Sequence, residues 1–213
     1  MNLNKYIDHT LLKPDATKAQ ILQLCEEAKK YSFMTCMVNP SWIPTVKEAL
    51  KGSDVLTACV IGFPLGAMTC ATKVFETKNA LEMGADEIDM VLNIGQLKDG
   101  NDQYVIDEIK AVKEACGNHC LKVIIETCLL TDEEKTRATK DVILGGADFV
   151  KTSTGFSTHG ATVEDVKILK VAAGEAIKVK AAGGVRSKAD LHAMIEAGAE
   201  RIGTSSGVKL MEE

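Results

Sequence analysis

Apolar runs of four to seven residues alternate with longer stretches of helical period along the whole chain. The runs at 6–10, 33–38, 55–61, 87–92, 121–127, 148–152, 177–181 and 201–204 are short and β-rich, which predicts strands. Apolar residues at helical spacing predict helices at 17–30, 71–83, 104–116, 132–144, 163–173 and 188–197. The pattern over 40–50 is weaker, and the stretch after Ser206 is short. Helix starts carry capping chemistry: Thr131-Asp132-Glu133-Glu134 is a capping box, and the runs from Thr162 to Asp165 and from Ser187 to Asp190 are close relatives of one. Helix ends carry a repeated device, Gly84-Ala85-Asp86, Gly146-Ala147-Asp148 and Gly198-Ala199-Glu200: a glycine stop, a small residue, an acid, then a strand.

Eight strands, each followed by a helix, predict the α/β class and a single (β/α)8 TIM barrel over residues 1–213. An open doubly wound sheet is the competing arrangement. No G-x-G-x-x-G follows the first strand, which weighs against it. No linker-like or low-complexity segment marks a domain boundary.

Composition narrows the partners. The net charge is -5, without a long basic run, which argues against nucleic acid and anionic membranes. No apolar stretch approaches the ~20 residues of a membrane span. Residues 1–5 lack the apolar region of a signal peptide. Seven cysteines are scattered without framework spacing, so a reducing, cytoplasmic setting is expected. Cys116, His119 and Cys120 have no second pair to complete a tetrahedral site, so no metal is expected there. Cys36 and Cys59 read as small core residues.

The polar residues that need explaining gather at strand ends, where barrel chemistry sits. Asp8 and Thr10 fall on the first strand, Asp89 on the fourth, and Lys122 and Glu126 on the fifth. Lys151 ends the sixth and Lys180 the seventh, each running into small residues. An ammonium at the end of a buried strand is costly unless paired or neutral. A neutral lysine amine can form a Schiff base with a carbonyl substrate. Asp89 inside an apolar strand reads as a working acid or base or its counter-ion, and Asp8, Lys122 and Glu126 read as charge balance around it. His9 and His159 read as hydrogen-bonding or loop residues. Lys178 shares a face with Lys180, so it must snorkel out at the barrel floor. Gly183-Gly184-Val185-Arg186-Ser187 and Gly203-Thr204-Ser205-Ser206 open the last two helices, where barrels commonly hold phosphate. Arg186 either adds charge there or is a solvated turn residue.

Val150-Lys151-Thr152-Ser153-Thr154-Gly155, Lys180-Ala181-Ala182-Gly183-Gly184-Val185-Arg186 and Glu87-Ile88-Asp89-Met90-Val91 together resemble the deoxyribose-phosphate aldolases, a class I aldolase family. Ile7-Asp8-His9-Thr10-Leu11-Leu12 and Lys122-Val123-Ile124-Ile125-Glu126-Thr127 extend the likeness over nearly the whole chain. The resemblance implies reversible cleavage of 2-deoxy-D-ribose 5-phosphate to D-glyceraldehyde 3-phosphate and acetaldehyde. It implies Lys151 as the Schiff-base lysine, with Lys180 depressing its pKa and handling protons together with Asp89 through a water. It implies a phosphate held by Gly155, Gly183, Gly184, Ser205 and Ser206, and no metal or organic cofactor. Asp89 is expected to pair with Lys180 rather than Lys151, since a tight carboxylate would restore the Lys151 cation. A homo-oligomer, dimer or tetramer, is expected because barrels often pair.

The chain departs from some family members in three places. Met37 stands where some carry a cysteine, Phe156 where some carry a lysine, and residues 211–213 lack a terminal tyrosine. Phosphate affinity is therefore expected to rest on backbone amides, and proton transfer to proceed without that tyrosine. Two other readings of the residues stay open. One is a sugar-phosphate isomerase or epimerase using Asp89 as base, and the other is a non-catalytic sugar-phosphate binder.

Overall fold

The structure is a computed structural model that describes residues 2–213. Eight parallel strands close into a barrel in chain order. They are β1 Ile7–Leu11, β2 Thr35–Val38, β3 Leu56–Ile61, β4 Glu87–Val91, β5 Cys120–Ile124, β6 Phe149–Lys151, β7 Lys178–Ala182 and β8 Arg201–Thr204. Around them run α1 Lys18–Tyr31, α2 Ile43–Ala49, α3 Cys70–Glu82, α4 Ile94–Lys98, α5 Asp102–Cys116, α6 Asp132–Leu144, α7 Val163–Ala173, α8 Lys188–Glu196 and α9 Gly207–Glu212. No helix of the described residues is long and apolar enough to cross a membrane.

Period-2 alternation divides every strand between two environments. One phase, including Ile7, Cys36, Cys59, Ile88, Val123, Val150, Val179 and Ile202, joins the apolar stripes of the helices in one continuous core. The other phase fills the barrel interior, and that interior is split. Met37 on β2 and Ala58 and Val60 on β3 form a separate small apolar cluster with Leu12, against which Phe63 packs. The remaining strands supply charges: Asp8, Glu87, Asp89, Lys122, Lys151, Lys180 and Arg201 are all buried.

The glycine-small-acid device has a physical basis in the fold. Gly84, Gly146 and Gly198 have φ of 106°, 78° and 112°, which ends a helix without the cost a Cβ would bring. The acids at two of these sites then bond the start of the neighbouring strand. Asp86 accepts from the Thr57 amide at 2.9 Å and Asp148 from the Leu121 amide at 2.8 Å. A helix lysine pairs with each acid, Lys47 with Asp86, Lys113 with Asp148 and Lys170 with Glu200. Thr131, Thr162 and Ser187 each cap a helix with a full capping box, and Thr17 does the same with Gln20.

Two departures from the sequence pattern matter, and one expectation is met. α4 is a single extra turn capped by Asn93, too short to show a helical period. β5 ends at Ile124, short of the predicted 127, because Glu126 turns into the left-handed region at φ 55°. Lys178 is exposed at the start of β7, and its Nζ lies 5.7 Å from the centre of the Phe149 ring, as the snorkelling argument requires.

Outside the barrel, Lys73 on α3 and Glu108 on α5 form a fully buried pair at 2.8 Å. Lys73 also donates to the Val91 carbonyl at 2.8 Å, tying both helices to the end of β4. Removing one partner strands the other charge without water. Lys73→Met is expected to cost about 3–5 kcal/mol of stability in urea unfolding, and Lys73→Met with Glu108→Leu to regain most of it.

Candidate active site

Lys151 is the last residue of β6, and its side chain points into the barrel mouth with 3% of its surface accessible. The register sets Lys151 beside Lys180 on β7, and Asp89 on β4 beside Lys122 on β5. All four converge. One Asp89 oxygen, Oδ2, accepts from Lys151 Nζ at 2.8 Å and from Lys180 Nζ at 2.7 Å. The other, Oδ1, accepts from Lys122 Nζ at 2.9 Å. Lys180 also reaches Asp8 at 2.5 Å, and Lys122 reaches Glu87 at 2.6 Å. Gly203 on β8 makes room for this: a Cβ there would lie 3.3 Å from Lys180 Cε.

This geometry corrects one expectation. Asp89 does not favour Lys180 over Lys151; a single oxygen serves both. The Lys151 ammonium is nevertheless weakened, because it is buried and shares that carboxylate with two other cations. Burial is the largest cause and lowers the Lys151 pKa, Asp89 raises it, and Lys180 and then Lys122 lower it again, to about 8. At that value roughly a tenth of Lys151 is neutral at pH 7, against well under one part in a thousand for a free lysine. Burial would raise the Asp89 carboxyl, but Lys122, Lys151 and Lys180 hold it well below the usual carboxylate range. Burial would lower Lys122, but Asp89, Glu87 and Asp8 raise it instead. Asp89 and Lys122 thus stay charged at neutral pH, while Lys151 keeps a working fraction of neutral amine.

Above Lys151 lies a cavity of about 410 Å³. Thr10, Lys151, Gly155, Gly183, Gly184, Ser205 and Ser206 line it. Gly155, Gly183 and Gly184 have φ of 85°, 79° and 85°. Among the described residues, the amides of Gly155, Gly183, Gly184 and Ser205 donate to no protein group. The Ser206 amide is taken by Thr204 Oγ1 at 3.0 Å, which leaves its hydroxyl for a ligand. The Arg186 and Ser187 amides are taken by Asp190 at 3.0 Å. Lys13 and the Arg186 side chain line the same cavity, and neither has a carboxylate partner among the described residues. A larger hollow of about 650 Å³ opens at the strand starts, where Asp148 and Glu200 already hold Lys113 and Lys170.

Sequence reasoning placed Asp8, Thr10, Lys122 and Glu126 near the site, with the three charged ones as charge balance. Asp8 and Lys122 are in the charge cluster. Thr10 Oγ1 donates to the Asp8 carbonyl at 2.8 Å. Glu126 lies outside the cluster and clamps the β6–α7 loop instead: it accepts from the Thr154 amide at 3.1 Å and bonds the Thr154 hydroxyl. The left-handed turn that ends β5 early is what swings it there. His9 is buried against Glu27 at 2.7 Å, on the outward phase of β1. Glu87 and Arg201 were missed. Their signal was present, since each sits two residues before an inward position of its strand.

The sequence model of the DeoC/LacD family aldolases matches residues 3–211. The chain belongs to the DeoC/LacD family of aldolases. It is 61% identical to a deoxyribose-phosphate aldolase of Streptococcus uberis, over 99% of this chain and 96% of the relative. It is 58% identical to one of Clostridium botulinum, over 99% of this chain and all of the relative. Among solved structures it resembles a tetrameric deoxyribose phosphate aldolase from Aeropyrum pernix, with a TM-score of 0.92, 36% identity, and coverage of 99% and 89%. The aldolase QR15 superposes with a TM-score of 0.95 at 39% identity, over 99% of this chain and 94% of that one.

In this family member, Lys180 is the cation that competes with Lys151 for Asp89. Lys180→Met is expected to raise the pH midpoint of Lys151 labelling by trinitrobenzenesulfonate by about one unit or more, read by peptide mapping.

Proposed function

We propose that the chain is a class I aldolase that reversibly cleaves 2-deoxy-D-ribose 5-phosphate to D-glyceraldehyde 3-phosphate and acetaldehyde. The observation that carries the reading is a buried lysine amine, weakened to a pKa of about 8, at the floor of a cavity walled by unpartnered amides. The family and the names of relatives near 60% identity support the same substrate.

Neutral Lys151 attacks C1 of the open-chain sugar and water leaves, giving an iminium. The C3 hydroxyl gives up its proton, the C2–C3 bond breaks, and its electron pair flows to the iminium nitrogen as an enamine. D-glyceraldehyde 3-phosphate departs. Protonation of the enamine carbon and hydrolysis then return the lysine and release acetaldehyde. Asp89 Oδ2 accepts from Lys151 Nζ at 2.8 Å and from Lys180 Nζ at 2.7 Å, which puts both groups in position to relay these protons through a water. The glycine amides at 155, 183 and 184, with Ser205 and Ser206, receive the phosphate. Leu12, which lines the cavity, packs with Met37, Ala58 and Val60 in the apolar half of the interior and adds no reactive group. In the tetrameric relative from Aeropyrum pernix a barrel of this family assembles with copies of itself, and we assign a homo-oligomer here on that likeness.

Borohydride with acetaldehyde should leave an ethyl group on the peptide carrying Lys151, and none in Lys151→Ala. An isomerase or a binding protein would gain no adduct. The trapping rate is expected to rise with pH through about 8 and then level off, because the attacking form is the deprotonated amine. A rate flat from pH 6 to 9 would contradict this. Gly184→Ala puts a Cβ at φ 85° in the cradle. It is expected to raise KM for the phosphorylated sugar about tenfold or more while leaving acetaldehyde trapping near native, as steady-state kinetics on both substrates would show.

A further inference from the structure

Six charged side chains inside the barrel close into a ring of alternating sign. From Asp89 the order is Lys180 at 2.7 Å, Asp8 at 2.5 Å from it, then Arg201, Glu87 at 2.8 Å, Lys122 at 2.6 Å, and back to Asp89 at 2.9 Å. Each cation of the ring touches two carboxylates. Lys180 has Asp89 and Asp8, Arg201 has Asp8 and Glu87, and Lys122 has Glu87 and Asp89. Three acids and three bases leave the ring neutral. Lys151 is the seventh charge, and it touches the ring only at Asp89, on an oxygen already used by Lys180.

The other interior faces offer nothing to alter this balance. β2 and β3 present Thr35, Met37, Ala58 and Val60, and Thr35 donates to Asp8 at 2.9 Å. Lys178 on β7 is exposed to solvent below the ring. Phe149 on β6 is uncharged. Net charge in a buried cluster is disfavoured, and the proton most easily lost is on the cation with the least carboxylate to itself.

We propose that Arg201 and Glu87, at the barrel floor, are positioning residues whose pairing keeps the ring neutral and so makes Lys151 the amine that sheds its proton. Neither side chain touches the cavity or the reacting nitrogen. Removing the Arg201 charge leaves a surplus carboxylate. Asp8 and Glu87 then draw on Lys180 and Lys122, and Asp89 is freed for Lys151. Removing the Glu87 charge does the reverse, turning Lys122 more fully onto Asp89. The effect acts through two linked contacts and so is smaller than that of deleting a direct neighbour.

The importance of this device for catalysis rests on the aldolase reading, but its test does not. Competitive acetylation of Lys151, read by peptide mass across pH, titrates the free amine without any substrate. Arg201→Gln is expected to raise the midpoint by about half a pH unit, and Glu87→Gln to lower it by a similar amount. Glu87→Gln combined with Arg201→Gln removes one charge of each sign and should return the midpoint to the native value. Arg201→Lys should keep it there. Should Arg201→Gln fail to fold, Glu87→Gln and the double variant decide the matter. If these residues only brace the strands, thermal stability falls while every folded variant titrates like the native chain, and the inference is overturned. Acetaldehyde trapping run beside the labelling separates the two readings. A native chain that titrates as described yet traps nothing would refute the aldolase function and leave the charge ring standing.

Discussion

A charge can stay inside a protein only if a counter-charge stays with it, and here that condition binds seven side chains at once. The barrel satisfies it with one closed circuit of contacts that joins β1, β4, β5, β7 and β8, with β6 attached through Lys151. The strands hold this circuit more tightly than loops could, because every donor and acceptor is fixed by ladder register. The apolar half of the interior, from β2 and β3, is the complement of that arrangement. It adds no charge that would need a partner, and it confines the polar contacts to one side.

The fold was legible because period and punctuation agreed. The eight apolar runs and the recurring glycine-small-acid stops gave the strand count and order, and both match the closed barrel. Boundaries were less legible where the backbone does something the pattern does not encode. The left-handed residue Glu126 ends β5 early, and α4 has too few residues to express a period. In the site, Lys151, Lys180, Asp89 and Lys122 stood out because charges inside apolar runs are conspicuous, and the structure brings all four within hydrogen-bonding reach of one another's partners. Glu87 and Arg201 lie at strand starts, where a charge usually means solvent, so only their inward phase could have disclosed them. Which carboxylate oxygen serves which lysine is a matter of three-dimensional packing, and the one-partner expectation for Asp89 failed for that reason.

Chemistry and recognition are divided between different parts of the chain. In the proposed mechanism the groups that move protons ride on strands and are buried. The groups proposed to receive the phosphate ride on the turns after β6, β7 and β8, and their amides are left open because side chains elsewhere have taken over the local bonding. Glu126 holds Thr154, Thr204 holds the Ser206 amide, and Asp190 holds those of Arg186 and Ser187. Those clamps bring the open amides of Gly155, Gly183, Gly184 and Ser205 to one wall of the cavity. Loop sequence can therefore change what the cavity accepts without disturbing the charge circuit beneath it.

Phe149 lies just below this circuit on the same strand as Lys151. Its ring centre is 5.8 Å from Lys122 Nζ, 5.9 Å from the Arg201 guanidinium and 5.7 Å from Lys178 Nζ. An aromatic face tolerates cations on both sides without offering water a path between them. The hollow at the strand starts, which Phe149 lines, and the cavity at the strand ends share no lining residue. In the proposed reaction, the water expelled by condensation and the water consumed in hydrolysis would pass through the same upper cavity as the sugar phosphate. For the proposed aldolase, a sugar phosphate seated in that cavity would itself shield the intermediate on Lys151 from water until the three-carbon fragment leaves.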